Sequence, residues 1–149
     1  MKRIIYISIF FVFISGRLFQ YKAKNKGFLK YAKKMRGFIV TAYTPFACCN
    51  GRWAGNTAVN KPMKFFSRRG IRIVAVDPRV IPLWSVVFWR KKLYLAVDTG
   101  GSIKGRRIDI HVPIYHCKRL ARKKAYKIGV RRRQTIYVLK KYFSERRFK

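Results

Sequence analysis

Three aspartates carry most of the chemistry open to this chain. Asp77 closes "VAVD", Asp98 closes "YLAVD" and Asp109 lies in "RIDI". With Glu145 they are the only acids, set against 37 Lys and Arg. Every Asp falls within residues 77–109, whereas solvated surface charges would be scattered. A surrounding field of cations lowers carboxylate pKa values, which suits a base. A general acid working near neutral pH needs the opposite shift, from burial or from a second carboxylate close by. Asp98 and Asp109 would make such a pair only if their strands were neighbours, and glycosidic cleavage is a reaction that uses one. The bland alternative is that each aspartate caps a turn, weightiest for Asp77 because it precedes Pro78. Between Asp98 and Asp109, Gly100, Gly101 and Gly105 bracket Lys104. Glycines there admit close approach of backbone or a bulky substrate. The spacing is not that of a phosphate-cradling loop. Tyr43, Trp53, Trp84 and Trp89 are candidates to line a substrate groove, although most aromatics in so small a domain are core.

These side chains need short, rigid elements to hold them. β-Branched, alternating runs at 37–43, 70–77, 85–89, 92–98, 107–112 and 134–142 predict six strands. Residues 44–63, punctuated by Pro45, Gly51, Gly55 and Pro62, predict a loop. Residues 115–129 predict a helix with Leu120, Ala121, Ala125 and Ile128 on its apolar stripe and Gly129 as C-cap. Short strands at this spacing imply a mostly β fold, a small closed barrel with one or two short helices.

The chain has 149 residues, is 50% apolar and 16% aromatic, and can form a core despite a formal charge of +33. That charge implies attraction to polyanions. Lys2 and Arg3 followed by an apolar run from Ile4 to Ile14 predict an export signal or anchor over residues 1–19. The run falls short of the roughly 20 residues a transmembrane helix needs. Residues 20–36 predict a basic linker, suited to a membrane surface or an anionic wall polymer. Residues 37–141 form the domain and 142–149 a basic tail. Export argues against nucleic acid as partner, and no nucleic-acid reader motif is present. Cys48, Cys49 and Cys117 leave two alternatives, a disulfide from the adjacent pair to Cys117 or inert thiols. The ligand spacing of a metal site is missing, and no cofactor is expected.

The segments "VTAYTPF", "NTAVNKP", "VAVDPRVIPLWS", "AVDTGGSIKGRRIDI" and "GVRRRQTIYVL" resemble, in order, the three-aspartate or 3D domain, a relative of the catalytic domain of membrane-bound lytic transglycosylase A. The likeness covers about residues 38–140. It implies a double-psi β-barrel in the cell envelope that acts on peptidoglycan glycan strands. The implied reaction cleaves the MurNAc–GlcNAc β-1,4 bond and leaves a 1,6-anhydro end. Asp109 matches the family's catalytic acid, Asp98 its closest supporting acid and Asp77 the third. Lys104 is implied to orient a carboxylate or touch glycan, and Thr41 and Tyr43 to line the groove with Gly100 and Gly101. Two positions depart from the pattern. Trp84 replaces the glycine of "IPLGS", where it would be strained in a left-handed turn or would offer a stacking platform. Asn60 replaces a second glycine and tolerates that conformation better.

Overall fold

The computed structural model describes residues 31–50 and 54–139, apart from the side chains of residues 49 and 50. The predicted signal segment, most of the basic linker, Trp53 and the basic tail lie outside them. Six strands, β1 (Lys33–Tyr43), β2 (Ile73–Ala75), β3 (Val86–Trp89), β4 (Lys92–Asp98), β5 (Arg107–His111) and β6 (Arg131–Leu139), close a barrel in the order β1-β5-β2-β4-β3-β6. β1 runs parallel to β5 and β2 parallel to β4, and the other pairings are antiparallel. Among the described residues the complete helices are α1 (Ala47–Asn50), a single turn, α2 (Met63–Arg68) and α3 (Lys118–Ile128). The fold is therefore the expected six-stranded β-barrel.

Alternation along the strands gives the wall two apolar sides. Phe38 and Val40 of β1, Val74 of β2, Tyr94 and Ala96 of β4, Ile108 and Ile110 of β5 and Ile136 and Val138 of β6 fill the interior. The opposite set, Tyr43, Ile73, Ala75, Leu95 and Val97, forms a second cluster with Met63 and Phe66 of α2 and with Ile103. Strand residues of period two send neighbours to opposite faces. The second cluster therefore lies on the outer wall of β1, β5, β2 and β4, beneath α2 and the loops.

Several sequence expectations shift. β1 starts at Lys33, inside the predicted linker, because Lys33 and Lys34 pair with Val138 and Tyr137 of β6. β2 spans only three residues, since Ile71 instead donates its N–H to the Phe66 carbonyl at the end of α2. On α3 only Ala121 is fully buried, and Leu120 is 39% exposed, because the helix meets the barrel along a narrow seam. Trp89 is a core residue, its indole N–H donating to Gln134 Oε1 at 3.1 Å. Cys117 is a free thiol whose Sγ accepts the Leu120 N–H as the N-cap of α3.

Candidate active site on the outer wall

Sheet register assembles the site. Ala75 pairs with Asp98 on its β4 side and with Asp109 on its β5 side. The two carboxylates thus flank one small residue, with roughly 9–10 Å between their backbones from two strand spacings. β1 completes the row, because Thr41 pairs with Asp109 and Tyr43 with His111. Simple alternation would send Asp98 into the interior with Tyr94 and Ala96. The register instead slips between Val74 and Ala75, so that Val97 and Asp98 together oppose Ala75. That bulge re-aims Asp98 to the outer face, a use to which bulges beside active sites are often put.

Asp109 sits half-buried on β5. Its Oδ1 accepts the Thr41 hydroxyl at 2.7 Å, and Oδ2 accepts from no described residue. Burial pushes its pKa up to about 6, with Asp98 adding a smaller push and the Thr41 hydrogen bond and Arg107 opposing. Asp98 is buried and far better supplied with donors. Its Oδ2 accepts the Tyr43 hydroxyl at 2.6 Å, and Oδ1 accepts the N–H groups of Thr99 at 2.9 Å and Ala58 at 3.2 Å. Burial raises the Asp98 pKa, and these three donors hold it back. Tyr43 is raised well above the usual phenol range by burial and by the neighbouring Asp98, so its hydroxyl stays protonated and donating.

Asp77 plays a different part. It is buried at the end of β2, where Oδ1 accepts the Arg79 N–H and Nε–H and Oδ2 accepts Arg79 Nη2 at 2.9 Å and the Gly105 N–H at 2.8 Å. The Arg79 side chain, then the Gly105 N–H, hold its carboxyl far below the ordinary range. An anion so held cannot deliver a proton. It pins the loop of residues 99–106 to the barrel, and that loop leads straight into β5 and Asp109.

The remaining expected residues divide. Lys104 is exposed and makes no hydrogen bond to a carboxylate; in its segment the Gly105 backbone does that work. A Cβ on Gly100 would meet Ile103 Cγ1 at 2.8 Å, so this glycine is required by packing. A Cβ on Gly101 would meet nothing within 4 Å, so the chain there lies open. Trp84 has φ of +67° and Asn60 of +57°, so both substituted positions are left-handed turns. The Trp84 ring packs, partly buried, on the cluster that contains Tyr43 and Ala75.

Two participants escaped the sequence reading. Ala58 contributes only its backbone N–H, presented by a loop in which Thr57 and Met63 bond back to Lys61 and Gly55. His111 lies two residues beyond Asp109 on the same face. Its ring is 5.3 Å from that of Tyr43 and 5.8 Å from that of Tyr115, and Nε2 is buried without a partner. Burial lowers its pKa to about 4, so it is neutral. The available signal was its i+2 spacing from Asp109. No group of three or more His, Cys, Asp or Glu side chains among the described residues is placed to hold a metal ion.

The family model of the 3D domain matches residues 72–140. Three Bacillus subtilis proteins are similar. The SPbeta prophage-derived uncharacterized protein YorM is 39% identical over 95 residues, covering 60% of this chain and 39% of its own length. The putative cell wall shaping protein YabE is 43% identical over 74 residues, 49% of this chain and 17% of its own. The cell wall-binding protein YocH is 39% identical over 83 residues, 55% and 27% respectively. The chain thus spans no more than 39% of the length of these relatives.

Proposed function

This chain carries a 3D domain, and from that premise we propose that it is an exported enzyme of the cell envelope that cleaves peptidoglycan glycan strands as a lytic transglycosylase. The observation that carries the reading is the unequal pair at Ala75. Asp109 has one hydrogen-bond donor and a pKa near 6, whereas Asp98 has three donors. Asp109 is the group able to hold a proton near neutral pH and give it up.

In the proposed reaction the Asp109 carboxylic acid delivers its proton to the glycosidic oxygen as the bond to the MurNAc anomeric carbon breaks. The MurNAc 6-hydroxyl attacks that carbon, and the Asp109 carboxylate takes the proton the hydroxyl loses. The 1,6-anhydro ring forms, GlcNAc leaves with a free hydroxyl and Asp109 returns to its starting state. Asp98, whose carboxyl group accepts hydrogen bonds from Tyr43, Thr99 and Ala58, lies on the same face to meet the positive charge that develops on the sugar ring. Thr41 fixes the Asp109 rotamer, Asp77 fixes the loop before it, and Trp84 and the open chain at Gly101 flank the substrate path.

A second reading is a wall-binding module without catalysis. Two observations favour it: the name of YocH, and the left-handed Trp84, whose bulky ring stands at the position the family fills with glycine. The test is mass spectrometry of muropeptides released from purified sacculi, with Asp109→Asn alongside. Anhydro-ended products lost in the variant are expected. Folded wild-type protein that binds sacculi and releases nothing would establish the module instead.

A further inference from the structure

α3 serves none of the chemistry above, and its sequence is extreme. Six of its eleven residues are Lys or Arg, and its first turn contains no acid. Lys118, Arg119, Arg122 and Lys123, with Tyr126, line a shallow cleft of about 600 Å³. Arg122 donates to the Tyr126 hydroxyl at 3.1 Å and lies 5.8 Å from its ring, which holds one wall of the cleft in place. Residues four apart on a helix share a face, one about 6 Å beyond the other. Lys118 and Arg122 therefore form one cationic row, and Arg119, Lys123 and Lys127 a second beside it.

The segment that leads into α3 connects it to the strand of Asp109. Tyr115, three residues before α3, packs on the His111 ring. At the other end of the helix Arg131 donates to the carbonyls of Ile128 and Lys127 and pairs with Val40, one residue before Thr41. A long polymer bound at the aspartates can therefore continue onto α3. We propose that α3 is a docking surface for a phosphodiester-linked anionic polymer of the cell wall, whose repeating phosphates lie along the two cationic rows. Guanidinium groups suit this role because they can grip phosphate through two parallel hydrogen bonds. The helix is a poorer match to single-stranded nucleic acid, which is held by successive stacking aromatics; Tyr126 stands alone and is tied to Arg122. It is also a poor match to a lipid surface, because its buried residue, Ala121, faces the barrel and no broad apolar face is left for a bilayer.

The proposal rests on the envelope location argued above, and its test separates the two. Binding of the full chain is measured by sedimentation with sacculi that retain their phosphodiester polymers and with sacculi stripped of them by hydrofluoric acid. The variants are Lys118→Gln/Arg119→Gln/Lys123→Gln and a charge-matched control, Lys33→Gln/Lys34→Gln/Arg36→Gln. The control residues line a second basic cleft at the far end of β1. The wild type is expected to bind intact sacculi at least about tenfold more tightly than stripped ones. The α3 variant should lose that advantage, and the slope of log affinity against log salt should fall by about two to three. The control should keep both. Equal losses in the two variants, or equal binding to stripped sacculi, overturn the proposal. So does α3-dependent binding as tight to phosphatidylglycerol vesicles or to single-stranded DNA. Anhydro-muropeptide release from stripped sacculi should be the same for the wild type and the α3 variant. If the wild type releases none, the enzymatic reading fails while the docking result stands.

Discussion

Asp109, the acid of the proposed reaction, carries a cost to the fold. Its pKa rises from 3.8 to about 6 because burial disfavours the carboxylate. The folded state therefore binds the proton more tightly than the unfolded chain does. Stability from this group is fully present below about pH 4 and is lost as pH rises towards 6. Asp109→Asn keeps the shape without the buried charge, so it should raise stability at pH 7.5 by about 1–3 kcal/mol while abolishing anhydro-product release. Urea unfolding at pH 4 and pH 7.5 checks this, because the gain should vanish at the lower pH. Glycan cleavage by the wild type should fall tenfold per pH unit above about pH 6, as the acid form is depleted. Tyr43→Phe removes the 2.6 Å donor to buried Asp98. It should cost about 1–2 kcal/mol and slow cleavage about tenfold, with the Asp98 carboxyl resonance titrating at higher pH in carbon-13 spectra.

At the scale of the element, a turn and a bulge matter most. Trp84 occupies a left-handed turn, where any Cβ is penalised. Trp84→Gly and Trp84→Ala both remove the ring, but only alanine keeps the backbone strain. The glycine variant should therefore be the more stable of the two by about 1 kcal/mol in thermal or urea unfolding. An alanine variant at least as stable would mean that the turn relaxes. The family resemblance revealed this position through its departure from a glycine. Sequence patterning revealed β3, β4 and β5, whose apolar runs end at turn residues. It did not reveal the Val97 bulge, because "KLYLAVD" reads as an unbroken strand and the slip exists only against β2. α2 escaped notice because two buried residues, Met63 and Phe66, in six positions are too few to show a helical period. The Ala58 and Gly105 N–H groups were invisible for a simpler reason: backbone donors have no residue type. The sequence placed three acids near one another, and register separated their duties, with two flanking Ala75 and one locking a loop.

For the whole molecule, charge and closure dominate. A formal +33 on 149 residues sets the surface against itself. Among the described residues the one salt bridge joins Asp77 and Arg79. Salt screens that repulsion, so the melting temperature should rise by several degrees between about 50 mM and about 500 mM NaCl. A flat or falling trend in calorimetry would show that local pairing outweighs the net field. Closure of the barrel brings β1 and β6 together antiparallel, with Lys33 beside Val138. Thr41 lies eight residues further along β1, roughly 25 Å away at strand rise. Whatever is joined before residue 33 or after residue 139 is therefore attached at one pole, and the aspartates lie near the other. The barrel is its own spacer: an anchor or a neighbouring domain can hold that pole fast without shading the site, and the reach into a polymer mesh is set by the length of β1.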